Sequence, residues 1–363
     1  MAENKPTRNY GIDLLRIISM LMIATLHTLY RGGVLATVEA GTAQYYAAYS
    51  VYLLCYIAVN LYALISGYVG VNGKARYYKL ASLWIQVELY CVLFTVIFAF
   101  IHPEIYKFDF TVNQLFPVST NQYWYFTAYF VMFLFTPYFN KILNSLSKGQ
   151  LITLGIILVF FSTLWSTVWQ TDFMSLERGY SAVWLSVLYL LGGIAKKLNL
   201  SEKAKSGWLL LGYFICIAFV ACFKFLGEKH GGIAITPNYF ISYSSFPMFA
   251  GAFCLFLFFT RLKINSSPAQ KLIKAFAPVS FGVYIIHANG FIWKYVMENA
   301  FVRFADLNPV LLVFCTALSA LAIYLICSAI DWLRICLFRA IKVDERLKLL
   351  EDKIRLKLSD KKN

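Results

Sequence analysis

The chain has 363 residues, of which 60% are hydrophobic and 14% charged, with a formal net charge of +15 and a mean hydropathy of +0.63. These values exclude an ordinary soluble domain and predict an all-α, polytopic membrane helical bundle. Its basic residues recur between apolar stretches instead of forming one block, which argues against nucleic acid as a partner and for a role in membrane topology.

Apolar stretches of spanning length fall near 10–30, 46–70, 80–101, 122–140, 150–169, 181–195, 207–226, 239–260, 275–294 and 309–330, predicting about ten transmembrane helices. The first exceeds the apolar core of a signal peptide and no small-residue cleavage site is evident, so it is expected to be retained. It carries Asp13, Arg16 and His27. Ionisable groups at membrane depth are costly, so three on one span point to a lined cavity. Eleven positions, about three turns, separate Arg16 from His27; the two face the same way roughly 16 Å apart along the axis, with Asp13 one turn before Arg16. The bland alternative is a satisfied ion pair and a packed histidine.

The second stretch contributes Asn60, then Ser66 and Gly67, whose small size permits close helix approach. Lys74, Arg76 and Lys79 follow it. Such a cluster at the mouth of a bundle suits phosphate binding, although the positive-inside signal alone would also account for it. In the third stretch Gln86 and Glu88 lie among apolar residues, and Glu88 is a pocket candidate able either to pair with Arg16 or to orient His27. The fourth begins with Asn121, Gln122, Tyr123, Trp124 and Tyr125, which fits an acceptor site for sugar rings and equally an interfacial aromatic belt. The ninth brings Ser280, Tyr284, His287 and Asn289 within a few turns, with His287 either serving the active site or acting as a structural hydrogen-bonding group.

Connectors carrying Lys74, Arg76 and Lys79; Lys141 and Lys148; Lys196, Lys197, Lys203 and Lys205; and Arg261, Lys263, Lys271 and Lys274 fall on one side with Lys5 and Arg8. That side is read as cytoplasmic. The opposite connectors hold scattered bases among acids such as Glu104, Asp109, Asp172 and Glu228. An even number of spans places both termini in the cytoplasm. Residues 1–330 then form the membrane domain and 331–363 a basic tail, in which Leu347, Leu350, Ile354 and Leu358 recur at spacings that suit an amphipathic helix on anionic lipid. The eight cysteines lie dispersed in apolar segments, indicating neither a disulfide framework nor a thiolate metal site. His27, Glu88 and His287 are likewise dispersed, and no metal is expected.

Several segments together resemble the acyltransferase-3 family of integral membrane O-acyltransferases, which modify surface polysaccharides, peptidoglycan and related glycans. They are the Asp13, Arg16 and His27 pattern with ten residues between Arg16 and His27, SGYV after Asn60, YWYF, GYSAVWLSVLYLLGG at 179–193 and SFGVYIIH at 280–287. The resemblance implies that residues 1–330 are a membrane acyltransferase domain. It implies transfer of an acetyl or other short acyl group from cytoplasmic acetyl-CoA, or a related acyl-CoA, to a hydroxyl of a glycan or lipid-linked glycan. It also implies an essential role for His27, a donor-holding role for Arg16, and residence in a bacterial cytoplasmic (inner) membrane. Members commonly carry two arginines in the basic motif after the second span. Here Arg76 is followed by Lys79, which cannot offer a bidentate fork at the second position.

Independent chemistry points the same way. An alcohol attacks a carbonyl effectively only as a base removes its proton, a task matched to neutral imidazole near pH 7. A neighbouring carboxylate would fix the His27 tautomer, Asp13 and Glu88 standing with His27 and Arg16 as catalytic candidates, and Arg16, Tyr284 or a backbone amide would stabilise the oxyanion. Arg16, Arg76, Lys79, Lys74 and Ser66 are therefore expected at the donor site, and Asn60, Trp124, Tyr125, Tyr284 and His287 at the acceptor site. The rival reading is a multi-pass transporter of a glycan precursor or small anionic metabolite, which needs similar buried charges. A homodimer is left open.

Overall fold

A computed structural model of the chain describes residues 8–73, 76–102, 114–230 and 236–360; Lys5, Lys74, Glu104 and Asp109 lie outside these residues. About 80% of it is helical, with no strand among the described residues. In chain order the main helices are α1 (Tyr10–Tyr30), α2 (Ala43–Gly70), α3 (Tyr77–Ile101), α4 (Trp124–Ser145), α5 (Lys148–Trp169) and α6 (Ala182–Lys197). They are followed by α7 (Ser206–Lys229), α8 (Phe246–Arg261), α9 (Ser267–His287), α10 (Gly290–Met297), α11 (Pro309–Ala340) and α12 (Val343–Asp360). A helix thus occupies each predicted apolar stretch. Among the described residues α1, extended through Thr37, and α2, α3, α5, α7 and α11 are long and apolar enough to cross a membrane, six in all, or seven if α9 and α10 count as one bent span.

The ninth stretch is not one straight helix. α9 and α10 meet at a bend of 60°. Asn289 leaves the helical conformation and its side chain accepts the Phe291 N–H, capping α10; the Asn289-Gly290 pair is a turn signal inside an otherwise apolar run. α2 is interrupted at Tyr56–Ile57, and α5 contains a π-helical segment at Phe160–Trp165. α11 runs unbroken through position 330 to Ala340, so the charged tail begins at the turn before α12.

Packing is closest where glycine removes a side chain. A Cβ on Gly67 would collide with the Tyr189 carbonyl oxygen, and one on Gly192 with the Leu64 carbonyl oxygen. α2 and α6 therefore meet backbone to backbone, the small-residue contact favoured where lipid supplies no hydrophobic drive between helices. Gly11 similarly lets α1 approach the Phe259 carbonyl of α8. α1 occupies the centre, touching α2, α8, α9 and α11.

Cross-links among helix ends sort the connectors. Asn9 Nδ2 donates to Thr260 O at 2.9 Å, Arg261 to Ser201 O at 3.0 Å, Lys197 to Asn144 Oδ1 at 2.9 Å and Asn144 Nδ2 to Val71 O at 3.0 Å. These bonds gather one basic end. At the other, Arg31 O accepts from Asn299 N at 3.1 Å, Tyr45 donates to Glu228 at 2.6 Å and Tyr239 to Thr167 O at 2.6 Å.

Candidate active site

Helical periodicity delivers Arg16 and His27 to two levels of one interior. Near the basic end, Asp13 is buried and accepts from Arg16 at 2.7 Å and from Arg8 at 2.5 Å, so it holds two guanidinium groups. Tyr62 secures the Arg16 turn by donating to its carbonyl oxygen at 2.6 Å. Arg16, Ser66, Arg76 and Lys79 share the lining of one cavity of about 340 Å³, with Tyr129 and Phe133 as aromatic wall. Of the residues expected at the donor site, only Lys74 falls outside the described residues. Ser66 spends its hydroxyl hydrogen on Tyr62 O at 2.9 Å, leaving an oxygen that can only accept.

Farther along α1, His27 Nδ1 stands 2.9 Å from His287 Nε2, and His287 Nδ1 stands 2.6 Å from Val283 O. A carbonyl oxygen only accepts, so His287 Nδ1 carries a proton. His287 is 2% exposed, and among the described residues no carboxylate bonds to it, so the neutral ring is the form its surroundings favour. Its Nε2 is then an acceptor and His27 Nδ1–H the donor. The chain of bonds leaves His27 Nε2 with a free lone pair. A carboxylate is the expected orienting group; the groups found along this chain of bonds are instead a second imidazole and a backbone carbonyl.

Trp293 completes this end. Its ring lies edge-on to His27 with centroids 5.1 Å apart, and its buried Nε1–H has no hydrogen-bond partner among the described residues. Arg31, ion-paired to Glu298 at 3.1 Å, lies over the Trp293 ring at 5.6 Å. The Asn289 bend is what turns Trp293 towards α1; a straight ninth helix predicts no such neighbour. Tyr284 packs between His287 and Tyr125, with centroids at 6.5 and 6.3 Å, connecting Tyr125 to the histidine pair.

Other expected residues are placed differently. Asn60 is fully buried and spends its amide on the fold, donating to Tyr243 O at 2.8 Å and accepting from Trp184 Nε1 at 2.9 Å. It is a clip between α2, α6 and the segment before α8, not a wall of the site. Trp124 stacks with Tyr243 and meets Tyr180 at 4.5 Å; it makes no ring contact with His27 itself and joins the histidine pair only through Tyr125, at 5.6 Å, and Tyr284. Glu88 is half-buried and neither pairs with Arg16 nor bonds to His27, whose partners are Asp13 and His287. The buried acid beside α3 is instead Asp331, which is fully buried and accepts from Gln86 at 3.0 Å, Tyr90 at 2.8 Å and Arg334 at 2.5 Å. Asp331 lies one position past 330, where the sequence reads as the start of a charged tail. Gly282 gives it room, since a Cβ there would strike the carboxylate. No group of three or more His, Cys, Asp or Glu able to hold a metal ion occurs among the described residues.

A phosphate-compatible cavity and an oriented imidazole on one helix match the two requirements of acyl transfer. No curated protein and no solved structure matches the chain. A family model described as an acyltransferase domain matches residues 9–329, which include α1 through most of α11. The chain therefore belongs to the acyltransferase-3 family.

Proposed function

We propose that this protein transfers an acetyl or other short acyl group from cytoplasmic acyl-CoA to a hydroxyl of an extracytoplasmic or lipid-linked surface glycan. In this reading it is a ten-span protein of a bacterial cytoplasmic (inner) membrane with both termini inside, the basic end facing the cytoplasm. The observation that carries the reading is the bond chain Val283 O, His287, His27, which leaves Nε2 of His27 free as a base.

Arg16, Arg76 and Lys79 hold the charged donor at the basic end, and the separation of Arg16 from His27 is comparable to the reach of a pantetheine arm. His27 Nε2 accepts the hydroxyl proton as the alcohol oxygen bonds to the thioester carbonyl carbon. The indole N–H of Trp293 is the unpaired donor for the developing oxyanion, replacing Tyr284 in that role. Collapse breaks the carbon–sulfur bond, the thiolate leaves, and His27 returns the proton to it. The products are the ester and free coenzyme A, with no acyl-enzyme.

The test is acetyl transfer by protein in nanodiscs, together with glycan analysis of cells expressing wild type or His27→Ala. The expected result is loss of glycan acylation in the variant at equal expression. Normal transfer by correctly folded His27→Ala overturns the assignment, and solute flux without covalent change favours transport.

A further inference from the structure

The family match ends at residue 329, but α11 continues to Ala340 and α12 to Asp360. This extension frames a second cavity of about 620 Å³ at the basic end. Lys79, Tyr129 and Phe133 line both this cavity and the Arg16 cavity, so the two share walls. Its cationic lining is Lys79, Arg334, Arg339 and Lys342, which exceeds the contribution of Asp344 and Glu345. Arg334 is committed to Asp331, and Lys342 stands 4.0 Å from Glu345. Arg339 and Lys79 have no ion pair among the described residues and are exposed. Asp344 and Glu345 occupy the first turn of α12, where acids complement the helix dipole.

We propose that this cavity binds the phosphorylated nucleotide end of the acyl donor. The inference rests on the acyl-CoA reading above and deepens it by assigning the nucleotide to a cavity whose Arg339 and Lys342 lie outside the matched domain. The volume falls in the range of small-molecule sites, about 300–1,000 Å³. Arg339 supplies a planar fork, and Lys342 and Lys79 supply point charges for phosphate oxygens. Tyr78 and Phe281 add ring surface for a purine. The shared wall at Lys79 then leads the pantetheine portion from this cavity past Arg16 towards His27. The nucleotide remains at the basic end throughout.

Binding to purified full-length protein separates the parts of this proposal, using coenzyme A, 3′-dephospho-coenzyme A and pantetheine as probes. Removing two exposed charges facing phosphate is expected to weaken coenzyme A binding about tenfold in Arg339→Ala/Lys342→Ala. Pantetheine affinity should stay unchanged, and Arg339→Lys/Lys342→Arg should restore most of the loss. Both positions are exposed, so folding should tolerate the change; the single variant Arg339→Ala, expected to lose about threefold, repeats the test at one site. Unchanged coenzyme A affinity in the alanine variants overturns the nucleotide site and leaves the acyl-CoA reading standing. Equal weakening for all three probes also overturns it, because the effect would not depend on phosphate. Wild type that binds none of the probes overturns both readings.

Discussion

Replacing His287 with alanine tests the histidine relay most directly. The substitution removes the acceptor of the 2.9 Å bond from His27 Nδ1 and the donor to Val283 O. Leaving a buried polar group unpaired costs about 1–3 kcal/mol. If that energy is what holds His27 in the Nδ1–H tautomer, the penalty appears in the chemical step, and at about 1.4 kcal/mol per tenfold it corresponds to a loss of about 5- to 150-fold in kcat. KM for the acyl donor should change little, because the cavity around Arg16 lies about three helical turns away along α1. His287→Gln is the control: its amide oxygen can accept from His27 Nδ1–H, so it should recover much of the rate. Steady-state kinetics in nanodiscs, with monodispersity confirming the fold, provides the assay. Wild-type kcat in His287→Ala refutes the relay, as does a loss confined to donor KM.

Three further outcomes follow from the same geometry. Trp293→Phe keeps the ring against His27 but deletes the unpaired indole N–H; kcat should fall about 100- to 1,000-fold with donor KM preserved, and unaltered kcat would remove the oxyanion role. Asp331→Asn breaks the pairing of a fully buried carboxylate with Arg334, strands that guanidinium and should destabilise the protein by about 3–5 kcal/mol, measured by thermal unfolding in detergent. Glu351 of α12 accepts from the Tyr78 amide at 3.0 Å; burial pushes its carboxyl up, but the Tyr78 amide and the Arg355 guanidinium outweigh this and hold it below the usual carboxylate range. A depressed pKa contributes docking energy above the usual carboxylate pKa that is lost as pH falls through the folded value. Hydrogen exchange across 343–360 should therefore accelerate as pH falls through and below the usual carboxylate range, once corrected for intrinsic rates, while Glu351→Gln shows no such pH-dependent step.

The helices and the shared face of Arg16 and His27 were legible because they depend on local properties. Apolar run length locates spans, and the 3.6-residue period alone puts Arg16 and His27 on one face. Gly67 could be read as a close-approach position from its size. Residues whose function depends on a distant partner were harder to place. Asn60 looks like a ligand-binding amide until Trp184 and Tyr243 occupy both of its ends. Glu88 and Asp331 are both acids near apolar sequence, and only the crossing of α3 with α11 shows which one is buried and paired. The Asn289-Gly290 pair did announce a turn, but not the direction of the helix after it.

The order of apolar and basic segments, read alone, determined a membrane bundle with a charged end and a first helix that carries Arg16 and His27 on one face. Those conclusions follow from transfer energies and helical geometry, which act over a few turns. Tertiary structure decided which group orients His27, which indole donor reaches it, and which cations border the cavity beside Arg16. These depend on contacts between residues such as His27 and His287, 260 positions apart. Such contacts are set by how helices cross and bend, and no local period encodes that.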